Sequence, residues 1–150
     1  MTSSPACWAA YGEVLAREYG DPAYGKLHRL SVDTYAVQHP GSVSPQAIQS
    51  VAVHLSRLCI ILEDGFSIEH ANDVMLAIHK VERQFRWLEP PRARGEVTVA
   101  EVLAARTADE HLRQVDRWAK SVWAAWAEHH ATIRGWLPTE VRAKHGKTQG

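Results

Sequence analysis

This sequence has no excess of charge, no long apolar run and few cysteines. Over 150 residues, seventeen Lys and Arg balance seventeen Asp and Glu, which leaves no long-range attraction to nucleic acid or to an anionic membrane. No apolar stretch approaches the roughly 20 residues that span a bilayer, and the first residues lack a signal-peptide pattern. Cys7 and Cys59 are too few for a disulfide framework. We therefore expect a cytoplasmic protein with neither a nucleic acid nor a membrane as its partner.

The familiar motifs of catalytic sites are also missing. The chain has no G-x-G-x-x-G, no G-x-x-x-x-G-K-[ST] and no G-x-S-x-G. The sequence therefore gives no support for a nucleotide-binding loop or for the nucleophile turn of a hydrolase. It also lacks H-E-x-x-H and Glu-x-x-His, the spacings from which helical proteins build metal sites. These absences favour recognition over catalysis.

The composition that remains, 45% hydrophobic and 23% charged residues, is typical of one folded domain. Helix start and stop signals divide this domain, 1–150, into about five main helices and one short helix. Serine, aspartate or threonine caps, often followed by proline, mark the starts. The predicted helices are 5–19, 22–38, 45–63, 68–85, a short one after Thr98 and a long one from 108 to about 135, with 137–150 as a frayed tail. We predict an all-α helical bundle.

The long last helix has one wide apolar face. With about 100° per residue, its apolar and histidine residues fall within an arc of about 140°, while its charged residues lie outside. This pattern is typical of a helix buried in a core, and it places Trp126 near the middle of the buried face. The arc comprises His111, Leu112, Val115, Ala119, Val122, Trp123, Trp126, His129, His130, Ile133 and Trp136.

Histidine is unusually frequent, with nine in the chain, and several lie on faces predicted to be buried. Either each is satisfied separately by a backbone or hydroxyl group, or several converge on a polar pocket or a transition metal such as zinc. His28 and His39 are about 16 Å apart along a regular helix, so a shared metal would need ligands from different helices. The candidate metal ligands are His28, His54 and His129.

The corner at Pro40 ends the second helix and has two interpretations. His39 either donates to the last carbonyls of that helix, where the helix dipole favours its cation, or lies in a polar pocket. The pocket would draw on a histidine from another helix. Its candidate ligand-binding residues are His28, Tyr35, Gln38, His39, His54 and His129.

The segment 18–41 reads EYGDPAYGKLHRLSVDTYAVQHPG. It resembles the hallmark of a bacterial family of small helical proteins of unknown function, whose members carry a similar H-x-L-x-V-D-x-Y-x-x-Q-H-P run. A looser likeness covers most of the chain. Many members have a C-x-x-C-G element before the first helix, which implies a small zinc site, whereas this chain has only Cys7 there. The resemblance implies that His28, Asp33, Tyr35, Gln38 and His39 act together.

The helical pattern itself places Asp33 elsewhere. It lies on the solvent stripe of the second helix, one turn after Arg29, as an exposed ion pair. The pattern and the resemblance therefore disagree on this residue.

Two functional hypotheses follow. The first is a binding or accessory protein, with a homo-oligomer or a protein partner as further alternatives. The second is a metal- or small-ligand-dependent enzyme with a histidine-lined site between helices.

Overall fold

The computed structural model describes residues 4–79 and 85–137, with the side chains of 77–79 excepted. In these residues the chain forms seven α-helices and two 3₁₀ turns and no strand, which confirms the all-α prediction. None of these helices is both long and apolar enough to cross a bilayer. The helices are α1 (Pro5–Gly20), α2 (His28–Gln38), α3 (Pro45–Leu62), α4 (Ile68–His79), α5 (Val99–Leu103), α6 (Ala108–Ala125) and α7 (His130–Trp136).

Most helix starts lie where the caps predicted them. The hydroxyls of Ser4 and Ser44 accept backbone hydrogen bonds three residues on, at 3.1 and 3.0 Å. Thr98 and Glu101 form a complete capping box, because the Glu101 carboxylate accepts the Thr98 N–H at 2.8 Å. Residues 80–84 of the predicted fourth helix and most of the predicted frayed tail lie outside the described residues; Phe85, the predicted helix end, is not helical, and Leu137, at the start of that tail, is buried.

The start of the second helix was predicted six residues too early. Asp21 does cap a turn, in which its carboxylate accepts the Ala23 N–H at 3.0 Å. The chain then passes through a 3₁₀ turn (Gly25–Leu27) before α2 begins at His28. Gly25 lies directly against the Glu18 carbonyl, where a Cβ would stand 2.5 Å from the oxygen. This close approach to the end of α1 fixes the turn.

The predicted single helix from 108 to 135 was also wrong, because it breaks at Trp126. The Trp123 carbonyl accepts from the Trp126 N–H at 3.0 Å and from His130 Nε2 at 2.7 Å. His130 also stacks on the Trp123 ring, with centroids 3.9 Å apart. The His130 side chain is thus hydrogen-bonded to a backbone carbonyl at the end of α6, and a 3₁₀ turn (Ala127–His129) leads into α7.

The buried face predicted for this region is nevertheless confirmed. Val115, Ala119, Val122, Trp126 and Ile133 are fully buried in one hydrophobic core. α2 lies at the centre, packed against α3 and α6, while α1 packs on α5 and α3 contacts α4 and α7. Polar side chains on the inward faces of α2 therefore form their hydrogen bonds either within the helix, as Thr34 does with the Leu30 carbonyl at 2.7 Å, or with neighbouring segments.

Replacing Gly25 with alanine should lower the free energy of unfolding by about 1–3 kcal/mol, because the new methyl group would overlap the Glu18 carbonyl. Gly12, in the exposed part of α1, is the matched control, since a Cβ there meets nothing within 4 Å. Gly12→Ala should instead raise the free energy of unfolding by about 0.4–1 kcal/mol. Urea unfolding of both variants measures the difference; equal effects would contradict the close approach at Gly25.

Candidate functional site

Two buried carboxylates organise the polar interior: one contacts α2 and the other lies on it. Glu18, at the end of α1, lies on the core face that it shares with Tyr11 and Val14. Its side chain is fully buried. Oε1 accepts from His28 Nδ1 at 2.9 Å, and Oε2 accepts from Ser31 Oγ at 2.7 Å and His111 Nε2 at 2.8 Å. We call Glu18, His28, Ser31, His111 and Arg17 the Glu18 cluster.

Arg17 completes this cluster and sets the tautomer of His111. Its guanidinium lies 3.5 Å from His111 Nδ1 and donates to the carbonyls of Val102 and Leu103, in the last turn of α5, and of Ala105, two residues beyond it. Since arginine only donates, His111 accepts at Nδ1 and carries its proton on Nε2, facing Glu18. The positive charge of Arg17 thereby lies one imidazole away from the buried carboxylate.

The pKa of Tyr11 is affected by its burial beside this cluster. Burial, and after it the negative charge of Glu18, raises the pKa of the Tyr11 hydroxyl to about 12. Its ring stacks on Tyr35 of α2, with centroids 3.8 Å apart and planes parallel within 1°. The hydroxyl therefore stays protonated at any physiological pH, and Tyr11 serves as a packing residue.

The second carboxylate is Asp33, and the prediction that it lies exposed beside Arg29 was wrong. Its side chain is fully buried. Oδ1 accepts from His54 Nδ1 at 2.7 Å and from Arg57 Nη1 at 2.8 Å, both on α3. The pattern along α2 could not show this, because the partners lie 21 and 24 residues away. We call Asp33, His54 and Arg57 the Asp33 cluster.

The Asp33 cluster is incompletely satisfied, unlike the Glu18 carboxylate. Within the described residues, Asp33 Oδ2 and Arg57 Nε are buried and have no hydrogen-bond partner. Buried polar groups in native proteins are rarely left so. Arg57 is only 8% exposed, yet it lines a cavity of about 240 Å³ between α2, α3 and α4. We call this cavity the Arg57 pocket; its lining is Arg29, Arg57, Asn72, Met75 and Leu76.

Gln38 connects α2 to α6 and to the loop 85–98, which contains Pro90 and Pro91 and which we call the proline-rich loop. Its Oε1 accepts from Trp118 Nε1 at 2.8 Å, and its Nε2 donates to the carbonyls of Arg94 and Val97 at 3.0 and 2.9 Å. The amide thus uses both of its donors and its acceptor inside the protein. Gln38 holds three segments together and leaves no group for a ligand.

His39 does not cap α2 with its ring as one interpretation expected. Arg94 Nη1 instead donates to the Gln38 carbonyl at 3.2 Å. The His39 ring lies 4.4 Å from the Tyr35 ring, and its Nε2 is buried with no hydrogen-bond partner among the described residues. Burial, and after it the charge of Arg94, lowers the pKa of His39 below the ordinary value of 6.5. The neutral imidazole is the form that this site favours.

The lowered pKa of His39 predicts a pH dependence. Below about pH 6.5 the unfolded chain binds a proton at His39 before the folded protein does, so the stability falls as the pH is lowered through that value. The variant His39→Asn has no imidazole that could bind this proton. The stability difference between wild type and variant, measured by urea unfolding from pH 8 to pH 5, should therefore shift in favour of the variant at acid pH. A difference independent of pH would contradict the burial of this ring.

The six predicted site residues do not share one set of contacts. Tyr35 and His39 touch, but within residues 4–79 and 85–137 no hydrogen bond, ion pair or ring contact joins His39 to His54 or His129. His129 Nε2 donates to the Glu89 carbonyl at 2.8 Å. His28 belongs to the Glu18 cluster and His54 to the Asp33 cluster.

Three residues central to these clusters were missed as site residues. Glu18 carried a signal, because a carboxylate on the same face as Tyr11 and Val14 must be buried with partners. Arg57 carried a weaker one, between Leu55 and Leu58 on α3. Arg17 carried none, since its carbonyl partners lie in a helix 85 residues away.

The histidines predicted as metal ligands belong to three separate sets of contacts in the part of the chain described. No group of three or more His, Cys, Asp or Glu residues there is placed to hold an ion. In the two clusters one nitrogen of each histidine is hydrogen-bonded to a carboxylate: Nδ1 of His28 and His54, and Nε2 of His111.

Comparison with known proteins identifies a family for this chain. Neither the curated proteins nor the solved structures contain a match to this chain. A family model matches residues 1–127, which include both carboxylate clusters, the Arg57 pocket and the segment 18–41 that carries the resemblance. The chain therefore belongs to a family of unknown function, DUF5946.

Proposed function

We propose that this protein binds a small ligand in the Arg57 pocket and acts by recognition. The observation that carries the proposal is the state of Arg57 on the pocket wall. Its side chain is nine-tenths buried, Asp33 holds it through Nη1 at 2.8 Å, and its Nε has no partner among the described residues. A buried donor without a partner costs about 1–3 kcal/mol, which a ligand that accepts from it would recover.

The position of the guanidinium also suits binding. A guanidinium free to move loses rotamer entropy when it binds, whereas Arg57 is already fixed by Asp33 and by the packing of α3. The cavity beside it is concave and mixed in character, with Asn72 as a further polar group and Met75 as an apolar wall. Recognition sites commonly combine an apolar lining with a few fixed polar groups.

The Glu18 cluster supports the same division of roles. Its carboxylate already accepts three hydrogen bonds, from His28, Ser31 and His111. Such a saturated buried group joins helices, because any ligand would have to displace an existing partner. Ligand binding is therefore assigned to the incompletely satisfied cluster, and the structural role to the saturated one.

A fragment titration tests the proposal. Amide NMR spectra of ¹⁵N-labelled protein would be recorded with small carboxylates, alkylammonium ions and neutral amides. At least one class should shift the amides of residues that line the Arg57 pocket. Asn72→Trp, which fills the cavity, should abolish these shifts, whereas Arg106→Met, at an exposed arginine outside it, should leave them unchanged. The absence of any such shift, or shifts that survive Asn72→Trp, would contradict the proposal.

One observation favours the alternative, a metal- or small-ligand-dependent enzyme. His28 and His54 both donate from Nδ1 to a buried carboxylate, while their side chains are 24% and 19% exposed. Carboxylates orient metal-ligating and general-base histidines in this manner. Elemental analysis of protein purified without an affinity tag separates the two candidates. About one equivalent of a transition metal per chain would favour the enzyme; folded, metal-free protein would favour the binding protein.

We also propose the cytoplasm as the compartment. The proposal is based on cysteine use: the chain has two cysteines, far apart in sequence, and proteins of oxidising compartments more often carry paired ones.

A further inference from the structure

We infer that the ligand of the Arg57 pocket is a small carboxylate with a short apolar chain. The inference rests on the proposed function, since it names the chemical class that this same pocket would bind. Charge, geometry and size each lead to it separately.

The charge of the lining selects an anion. Two arginines line the pocket, Arg29 from α2 and Arg57 from α3, and no acidic side chain does. Asp33 offsets part of the Arg57 charge through their 2.8 Å contact but lies behind it, outside the lining. Arg29 is exposed at the rim, and Asn72 is uncharged. The lining therefore carries net positive charge, which repels ammonium groups and attracts anions.

The geometry of the donors favours a carboxylate. Arg57 is bound to Asp33 through Nη1, so the edge of its planar guanidinium formed by Nε and Nη2 is not engaged by Asp33. A guanidinium edge presents parallel N–H groups that match the two oxygens of a carboxylate. Arg29 on the adjacent helix supplies a second cation at the same cavity. The anionic head is thus placed at the α2–α3 side.

The size of the cavity and its wall opposite the arginines define the rest of the ligand. The side chains of Met75 and Leu76, on α4, supply an apolar surface facing the arginines. The cavity of about 240 Å³ has the volume of about eight water molecules, below the range of about 300–1,000 Å³ for drug-sized ligands. Eight heavy atoms correspond to a carboxylate with about five further carbons. Inorganic phosphate would satisfy the arginines but would leave the apolar wall uncovered.

The test is a titration of the full chain with acetate, butyrate and hexanoate, followed by amide NMR. Hexanamide, hexylammonium and inorganic phosphate serve as comparison probes. Affinity should rise about fourfold for each methylene buried against Met75 and Leu76, so hexanoate should bind tightest. Arg57→Lys retains the charge beside Asp33 but removes the planar edge, and it should weaken hexanoate binding while the rise in affinity from acetate to hexanoate remains. Arg29→Met should weaken hexanoate binding about fivefold, whereas Arg106→Met should not change it.

The outcomes separate this inference from the proposed function. Binding of hexanamide or hexylammonium in the pocket, as tight as that of hexanoate, would overturn the carboxylate and leave the binding function standing. Equal affinities for acetate and hexanoate, or phosphate binding as tightly as hexanoate, would overturn the apolar chain. No shift at the pocket with any of the six probes would contradict the proposed function as well.

Discussion

Replacing Asp33 with asparagine should lower the free energy of unfolding by about 3–5 kcal/mol, because the change leaves the Arg57 charge buried without its counter-ion. The loss should be far larger than for an ordinary surface pair. Asp116→Asn is the matched control, since Asp116 also contacts a cation at 2.8 Å, on Lys120, but its side chain is 44% exposed. The control should cost within about 0.5 kcal/mol.

A double variant extends this prediction. Asp33→Leu combined with Arg57→Met removes both charges and replaces them with apolar side chains of similar size. The double variant should recover most of the stability lost in Asp33→Asn, because no unpaired charge remains buried. Urea unfolding curves of the three variants measure these differences. If Asp33→Asn proved as mild as Asp116→Asn, the Asp33 cluster would not be buried as described.

Replacing Trp126 with alanine should lower the free energy of unfolding by about 3–5 kcal/mol, the usual cost of removing a large aromatic side chain from a core. Its ring is fully buried, and its Nε1 donates to the Val37 carbonyl of α2 at 3.2 Å. The variant thus loses packing and also a link between α2 and the end of α6.

Lys120→Ala is the control for this prediction. Lys120 lies on the opposite side of α6, with 65% of its side chain exposed, so its replacement should cost well under about 1 kcal/mol. Both variants are measured by urea unfolding at the same pH. Equal, small effects would mean that the region around Trp126 is not packed into the core.

The sequence predicts the fold well where the signal is local. The caps at Ser4, Ser44 and Thr98 act within three residues, so they can be recognised in the chain and they place the helix starts correctly. The break at Trp126 has no glycine or proline to mark it. It depends on the His130 side chain reaching the Trp123 carbonyl, a tertiary contact that the helical pattern does not contain.

The candidate site was predictable only in part, for a related reason. His28, Asp33, His54 and Gln38 were all singled out, but the contacts that give each its role come from other helices. Asp33 shows this best. Its position on the helical wheel, one turn after the exposed Arg29, could not show that α3 covers this side of α2. Arg57 on α3 then supplies the charge that makes its burial tolerable.

The position of α2 has a consequence for how the molecule comes apart. Three of its buried polar side chains each connect to a different segment: Ser31 to α1, Asp33 to α3 and Gln38 to α6 and the proline-rich loop. Withdrawal of α2 would break all of these links at once, and loss of a neighbouring helix would leave a buried group on α2 without its partner. Partly unfolded forms are therefore high in free energy whichever helix is lost, and these helices should unfold together as one cooperative unit.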